Sequence, residues 1–147
     1  MIDKQDFEIL NELQQDASQS VLSISRKVKM PRSTVQHRIE RMKANQIIKR
    51  VVAVPDYAKI GLPVTAFVLV NFHPTSGLSQ QDVAQSIAKL ENVVEVHVVA
   101  GQWDIILKAR GASLKEIGEL VVNQLREIPG VGQTVTSGSF FVIKEDP

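Results

Sequence analysis

The chain has 147 residues, 44% of them hydrophobic and 22% charged, with no cysteine and a formal net charge of +1. Such a length and balance describe an ordered globular protein of one average domain or two small ones, and the lack of cysteine excludes disulfides and thiolate metal sites. The opening MIDKQDFEIL carries no secretory signal and no apolar run approaches the ~18 residues that span a bilayer, so a cytoplasmic protein without a membrane partner is expected.

The small net charge hides a division. Residues 1–50 hold ten Lys/Arg against six Asp/Glu, residues 51–147 seven against ten, and between Ser23 and Arg50 nine basic residues face a single acid, Glu40. A block that basic beside an acidic remainder points to a polyanion-binding module joined to something else.

Asp3 is placed to cap a first helix whose apolar stripe is Phe7, Leu10 and Leu13, joined by Ile9, ending near Gln15. A second helix is expected over about Val21 to Val28, with Leu22, Ile24 and Val28 as its apolar positions. The third begins in MPRSTVQHRIERMK, where Val35, Ile39 and Met42 recur at i, i+4 and i+7 and turn inward. A tight turn at Lys29 to Pro31 joins the last two into a helix-turn-helix.

A recognition helix in the DNA major groove brings its N-terminal side chains to base edges, here Arg32, Ser33, Thr34, Gln36 and His37. Glutamine pairs bidentately with adenine, arginine with guanine, and serine or threonine with several edges. Arg38, Arg41, Lys43, Lys49 and Arg50 lie further along, where phosphate contact is expected.

After Arg50 the texture changes to a short apolar run, Ile47 to Val54, punctuated by Pro55, Gly61 and Pro63, which reads as a connecting strand and linker. Strands are expected at 64–72, 93–101, 103–111 and in TVTSGSFFVI (134–143), with helices at SQQDVAQSIAKLE and SLKEIGELVVNQLREI between them. The order βαββαβ is the split-βαβ, ferredoxin-like arrangement. Its strands read as apolar on both alternations, Val64, Ala66, Val68 and Val70 against Phe67 and Leu69, with Phe140 and Val142 against Phe141 and Ile143. A sheet apolar on both faces needs cover on both, so dimerisation through the face without helices is expected, setting two recognition helices about a two-fold axis on a palindromic site.

The stretches IDKQDFEIL, PRSTVQHRIERMKANQIIKR, VVEVHVVAGQWDIILKARG and IPGVGQTVTS, in this order, resemble the Lrp/AsnC (feast/famine) transcriptional regulators along nearly the whole chain. The resemblance implies an α+β fold: a winged helix-turn-helix DNA-binding domain at 1–50, a hinge strand and linker at 51–63, and a ferredoxin-like effector-sensing and oligomerisation domain at 64–147. It implies a homodimer assembling to a tetramer or octamer, double-stranded DNA as partner, and a small effector, usually an amino acid, bound between sensor domains. The effector would lie near Gly101, Gln102, Trp103 and Asp104 and near Thr134 and Thr136. Asp104 and turn carbonyls would accept from an ammonium, while backbone amides at Gly101 to Trp103 and the two threonine hydroxyls would donate to a carboxylate.

Two departures stand out. Gln102 sits where the family often has an acid, so a neutral effector gains ground, and Pro31 and Lys29 replace the usual capping serine and turn glycine. The missing cap leaves an orphan amide at a cost of roughly 1 kcal/mol.

Catalysis finds little footing in the sequence, and no cofactor is expected. His37, His73 and His97 lie far apart and match no metal spacing, and there is no GxxxxGK loop or GxSxG elbow. The alternatives are a DNA-compacting architectural protein and, on fold analogy, a sirohaem-decarboxylase-like subunit, in which a sensor-domain histidine would contact a tetrapyrrole. The basic block at 26–50 argues against the latter.

Overall fold

The computed structural model describes residues 1–75 and 77–145, so 76, 146 and 147 of the expected sensor domain lie outside it. The chain forms two compact units, Met1–Ala53 and the residues from Val54 on.

The first unit is three helices. α1, Lys4–Gln15, is capped by Asp3 in a reciprocal box with Asp6; α2, Val21–Lys27, is capped by Ser20, whose hydroxyl accepts from the Ser23 amide; and α3 spans Arg32–Ala44. Ile9, Ile24, Val35, Ile39 and Met42 are buried together, with Leu13, Val21, Val28, Met30, Ile47 and Ile48 packed around them. The α3 stripe faces inward as its spacing requires.

The α1 and α2 stripes are rotated from expectation, because Phe7 and Leu22 stay 51% and 43% exposed. The position one residue before Phe7 turns inward instead: it is Asp6, fully buried because two guanidiniums neutralise it. In the turn, the Met30 amide reaches the Ser25 carbonyl at 3.0 Å, and Lys29 takes φ 53°. That left-handed backbone is why glycine suits this position.

No strand follows α3 up to β1. The hinge strand expected in 51–63 is therefore a correction: Val51, Val52 and Val54 are each more than half exposed, and among the described residues they find no ladder partner. Tyr57 to Leu62 instead closes a short turn, with the Leu62 amide on the Tyr57 carbonyl at 2.8 Å.

The second unit is a four-stranded antiparallel sheet in the order β2-β3-β1-β4. Its elements are β1 (Val64–Phe72), α4 (Gln80–Ile87), β2 (Val93–Val98), β3 (Ile105–Gly111), α5 (Leu114–Asn123), a 3₁₀ turn at Leu125–Glu127, and β4 (Val131–Gly138). This is the expected ferredoxin-like order. Ala66, Val68 and Val70 of β1 and Ile105, Leu107 and Ala109 of β3 form one core with Val83 and Ile87 of α4 and Ile117, Leu120, Val121 and Leu125 beyond.

The last strand ends at Gly138, not Ile143. β1 begins at Val64, and the Ser139 amide on the Thr65 carbonyl at 2.9 Å is the last rung it offers. Phe140, Phe141 and Ile143 are left 94%, 82% and 93% exposed.

The open face of the sheet is also not uniformly apolar. Phe67 and Val135 lie on it, but so do Lys108, registered directly opposite Phe67, and Arg110, which are 8% and 4% exposed. Glu145 of the C-terminal segment pairs with both cations, Arg110 donates to Thr65 at 3.1 Å, and the Tyr57 ring covers its guanidinium at 3.5 Å. The Lys108 hydrogen bond holds the Glu145 carboxyl below its usual range; burial opposes this, and Arg110 adds to it.

Candidate nucleic-acid interface and effector site

Opposite the buried Val35, Ile39 and Met42, one stripe of α3 carries Ser33, Gln36, His37, Glu40 and Lys43, all exposed, with exposed Arg32 at its start and partly exposed Thr34 beside it. The spacing i, i+3, i+4, i+7 places these side chains on a single face. Pro31 supplies no capping hydrogen bond, so the first-turn amides of α3 are open to solvent or an anion. The sequence-predicted base-reading residues are thus brought together on one surface.

Arg38 and Arg41 are placed differently. Arg38 Nη1 donates to Asp3 Oδ1 and Oδ2 at 3.0 and 2.8 Å and to Asp6 Oδ1 at 2.8 Å, and its Nη2 donates to Gln5 at 2.5 Å. Arg41 Nη2 donates to Asp6 Oδ2 at 2.5 Å. Both guanidiniums, expected at phosphates, are engaged in fastening α3 to α1.

Burial works against the charge of Asp6. The Asp3 amide, the Arg38 hydrogen bond and the Arg41 charge outweigh it and hold the carboxyl below its ordinary range. Asp3 is likewise held down, first by Arg38. Sequence reading missed Asp6 because its partners lie more than thirty residues away; a polar residue interrupting the α1 stripe was the only signal.

One hydrogen bond lies within the exposed stripe itself, from Gln36 Nε2 to Glu40 Oε1 at 2.6 Å. Glu40 is the only acid between Ser23 and Arg50.

Of the residues expected to bind an effector, the 101–104 loop and Thr134 lie toward one end of the sheet, and Thr136 lies two residues further in, registered with Val68. Gly101 to Asp104 form the loop between β2 and β3, and Ile105 and Thr134 are both registered with Val70 across β1. Gly101 has φ 124°, which a side chain would strain. Gln102 is exposed and Trp103 partly buried. Thr136 is exposed, and Thr134 accepts from Arg126 Nε at 3.1 Å, which brings to this end a guanidinium that sequence reading did not single out.

Asp104 already has partners. Its Oδ2 accepts from the Phe72 amide at 2.8 Å and its Oδ1 from Gln80 at 3.2 Å, tying the loop to the end of β1 and the start of α4. Asp104→Ala should therefore lower the stability of this unit by about 1–2 kcal/mol with no effector present, since a partly buried amide loses its acceptor. Urea unfolding followed by the fluorescence of Trp103 measures it. An unchanged midpoint would assign Asp104 to ligand contact alone.

Residues 2–49 match the family model for winged helix-turn-helix DNA-binding domains, and residues 65–147 that for the Lrp/AsnC ligand binding domain. An uncharacterised HTH-type transcriptional regulator of Pyrococcus furiosus is 47% identical over 99% of this chain and 97% of its own. Transcriptional regulator AzlB of Bacillus subtilis is 29% identical over 93% of this chain and 87% of its own. Among solved structures, a transcriptional regulator of Neisseria meningitidis in complex with L-Met superposes with TM-score 0.92 at 23% identity, over 99% of this chain and 94% of that one. AsnC of E. coli gives 0.84 at 21%, over 100% and 97%.

Proposed function

The chain belongs to the Lrp/AsnC family of transcriptional regulators, and from that premise we propose that α3 reads DNA sequence while the end of the sheet near Gly101 senses an amino acid or a similar small molecule. The observation that carries the first part is the exposed stripe of Arg32, Ser33, Gln36 and His37 on the second helix of the helix-turn-helix, with Thr34 at its edge. Phosphate contact falls to Lys43, Lys49 and Arg50, all exposed, while Arg38 and Arg41 hold the helix in place and reach DNA only beside those contacts.

Gln36→Ala tests base reading. A bidentate glutamine–adenine pair is worth about 1–3 kcal/mol of discrimination, so the variant should lose roughly fivefold or more of its preference between two duplexes differing at that base pair. Its affinity for unrelated duplexes should hold. Equal weakening on every duplex would count against the assignment.

The effector reading draws support from the ligand-binding family model and from the L-Met bound by the Neisseria regulator. The amides of Gly101 to Trp103 and the hydroxyl of Thr136 would meet a carboxylate, beside Thr134 and Arg126, and the turn carbonyls an ammonium, with Asp104 holding the loop. Ligand would act by binding one assembly of the sensor units better than another, which is the only way an effector shifts an equilibrium.

The assembly in this reading is a dimer, further associated to a tetramer or octamer, on a palindromic operator. A second copy would cover Phe67 and Val135 of the open sheet face together with Phe140, Phe141 and Ile143, whose exposure supports it. Sedimentation equilibrium should give at least twice the 16.3 kDa of one chain; a monomer at micromolar concentration would refute it. The protein is read as a binding protein and not an enzyme, acting where its DNA lies, in the cytoplasm.

A further inference from the structure

We infer that Glu40 is a specificity-determining residue of the DNA-reading surface, acting by fixing the side-chain amide of Gln36 and by rejecting acceptor edges with its own charge. This rests on the base-reading role proposed for α3.

Glu40 lies one turn beyond Gln36, within the same exposed stripe as Ser33, His37 and Lys43. It is not at the rim. With 100° per residue, position 40 falls between positions 36 and 37 around the helix, so it shares whatever surface those two meet. In a helix-turn-helix that surface is the floor of the major groove.

An unrestrained glutamine presents its amide either way round, offering donor or acceptor at a given point. An ionised carboxylate only accepts, so the 2.6 Å contact to Glu40 Oε1 must be made by an N–H of Gln36. The orientation is thereby set: the second N–H and Oε1 are directed to the groove as an ordered donor–acceptor pair. Adenine is the base whose edge matches, with N7 accepting and the N6 amino group donating. Fixing the amide before binding also removes rotamer freedom that would otherwise be lost on the complex.

The charge adds rejection. Guanine presents two acceptors, N7 and O6, in the major groove, whereas adenine and cytosine each present an amino donor. A carboxylate on a DNA-facing surface lowers affinity for any duplex by repelling phosphate, and facing guanine it leaves acceptor against acceptor. Specificity obtained by penalising the wrong partner has this signature: weaker binding overall, and a larger gap between right and wrong sequences.

The test uses the full chain and a duplex selected by the wild-type protein from a randomised library, with every single-base variant of it, read by fluorescence anisotropy. Glu40→Gln keeps the size and removes the charge, and as an exposed substitution it leaves the fold intact, which circular dichroism checks. The expected result is severalfold tighter binding to scrambled duplexes together with about a tenfold loss of discrimination at the base pair sensitive to Gln36→Ala. In a Gln36→Ala background the same change should cost less discrimination there, only the share due to the charge of Glu40 itself.

A uniform factor on all duplexes, or fully additive effects of the two substitutions, would overturn the role of Glu40 while leaving base reading by α3 in place. A wild-type protein that selects no sequence would overturn both.

Discussion

Asp6→Ala should unfold the Met1–Ala53 unit under conditions where the second unit stays folded. The carboxylate is fully buried and bonded to Arg38 and Arg41 at 2.8 and 2.5 Å, and it closes the capping box of α1 by accepting from the Asp3 amide at 3.0 Å. Removing it strands Arg41 and takes from Arg38 its buried partner, leaving it Asp3 and Gln5. For buried pairs the loss is about 3–5 kcal/mol; with Arg41 40% exposed, the lower end, about 3 kcal/mol, is expected here. A three-helix unit of some fifty residues has little more than that in total.

The two units report separately. Trp103, the single tryptophan, lies in the second unit, so its fluorescence follows that unit alone, while the helical signal at 222 nm includes both. In urea the variant should show an early loss of ellipticity with the fluorescence midpoint unmoved. Coincident, wild-type transitions would show that the cluster contributes nothing.

Acid should act in the same direction. The Asp6 carboxyl titrates lower in the folded chain than in the unfolded one, so its contribution is fully present above the unfolded value of about 3.9 and is lost as the pH falls through the folded value. Asp6→Asn should abolish that part of the acid sensitivity.

The second large effect is expected at Gly130→Ala, in the other unit. Gly130 has φ 90°, and a Cβ there would stand 2.5 Å from Val83 Cγ2 and 3.5 Å from the Phe72 ring. Its own carbonyl is fixed by the His73 amide at 2.8 Å, so the backbone cannot move away without breaking the entry to β4. Left-handed strain of about 1–2 kcal/mol and an overpacked contact of about 1–3 kcal/mol together give about 3 kcal/mol. The Trp103 fluorescence midpoint should fall steeply, the reverse of the Asp6 pattern. Gly101→Ala provides the contrast: with φ 124° but nothing within 4 Å of the added carbon, it should cost only the strain.

Periodicity made much of this structure legible in the sequence. Val35, Ile39 and Met42 repeat at helical spacing, and so their burial and the exposure of Gln36 and His37 follow from geometry. The βαββαβ order was equally readable, because each helix carries its own apolar stripe and each strand its own β-branched run.

What was not legible depends on partners distant along the chain. The α1 stripe was read from apolar residues alone, while the structure buries Asp6, whose neutralising arginines lie on α3. By the same token Arg38 and Arg41 looked like free cations. The 140–143 run is as strand-like as β1 in composition, yet a strand exists only where a neighbour offers a ladder, and β1 has none to offer past Thr65. Asp104 looked like a ligand acceptor because a loop acid has no visible partner in one dimension; its partners are the Phe72 amide and Gln80.

The central claim, that this chain reads DNA sequence, is tested most directly by fluorescence anisotropy on a duplex from its own upstream region against a scrambled duplex of equal length, at two salt concentrations. A preference of ~10³ or more for the native duplex is expected, maintained as salt weakens both. Equal and steeply salt-dependent binding to the two would contradict it and describe a DNA-compacting architectural protein instead.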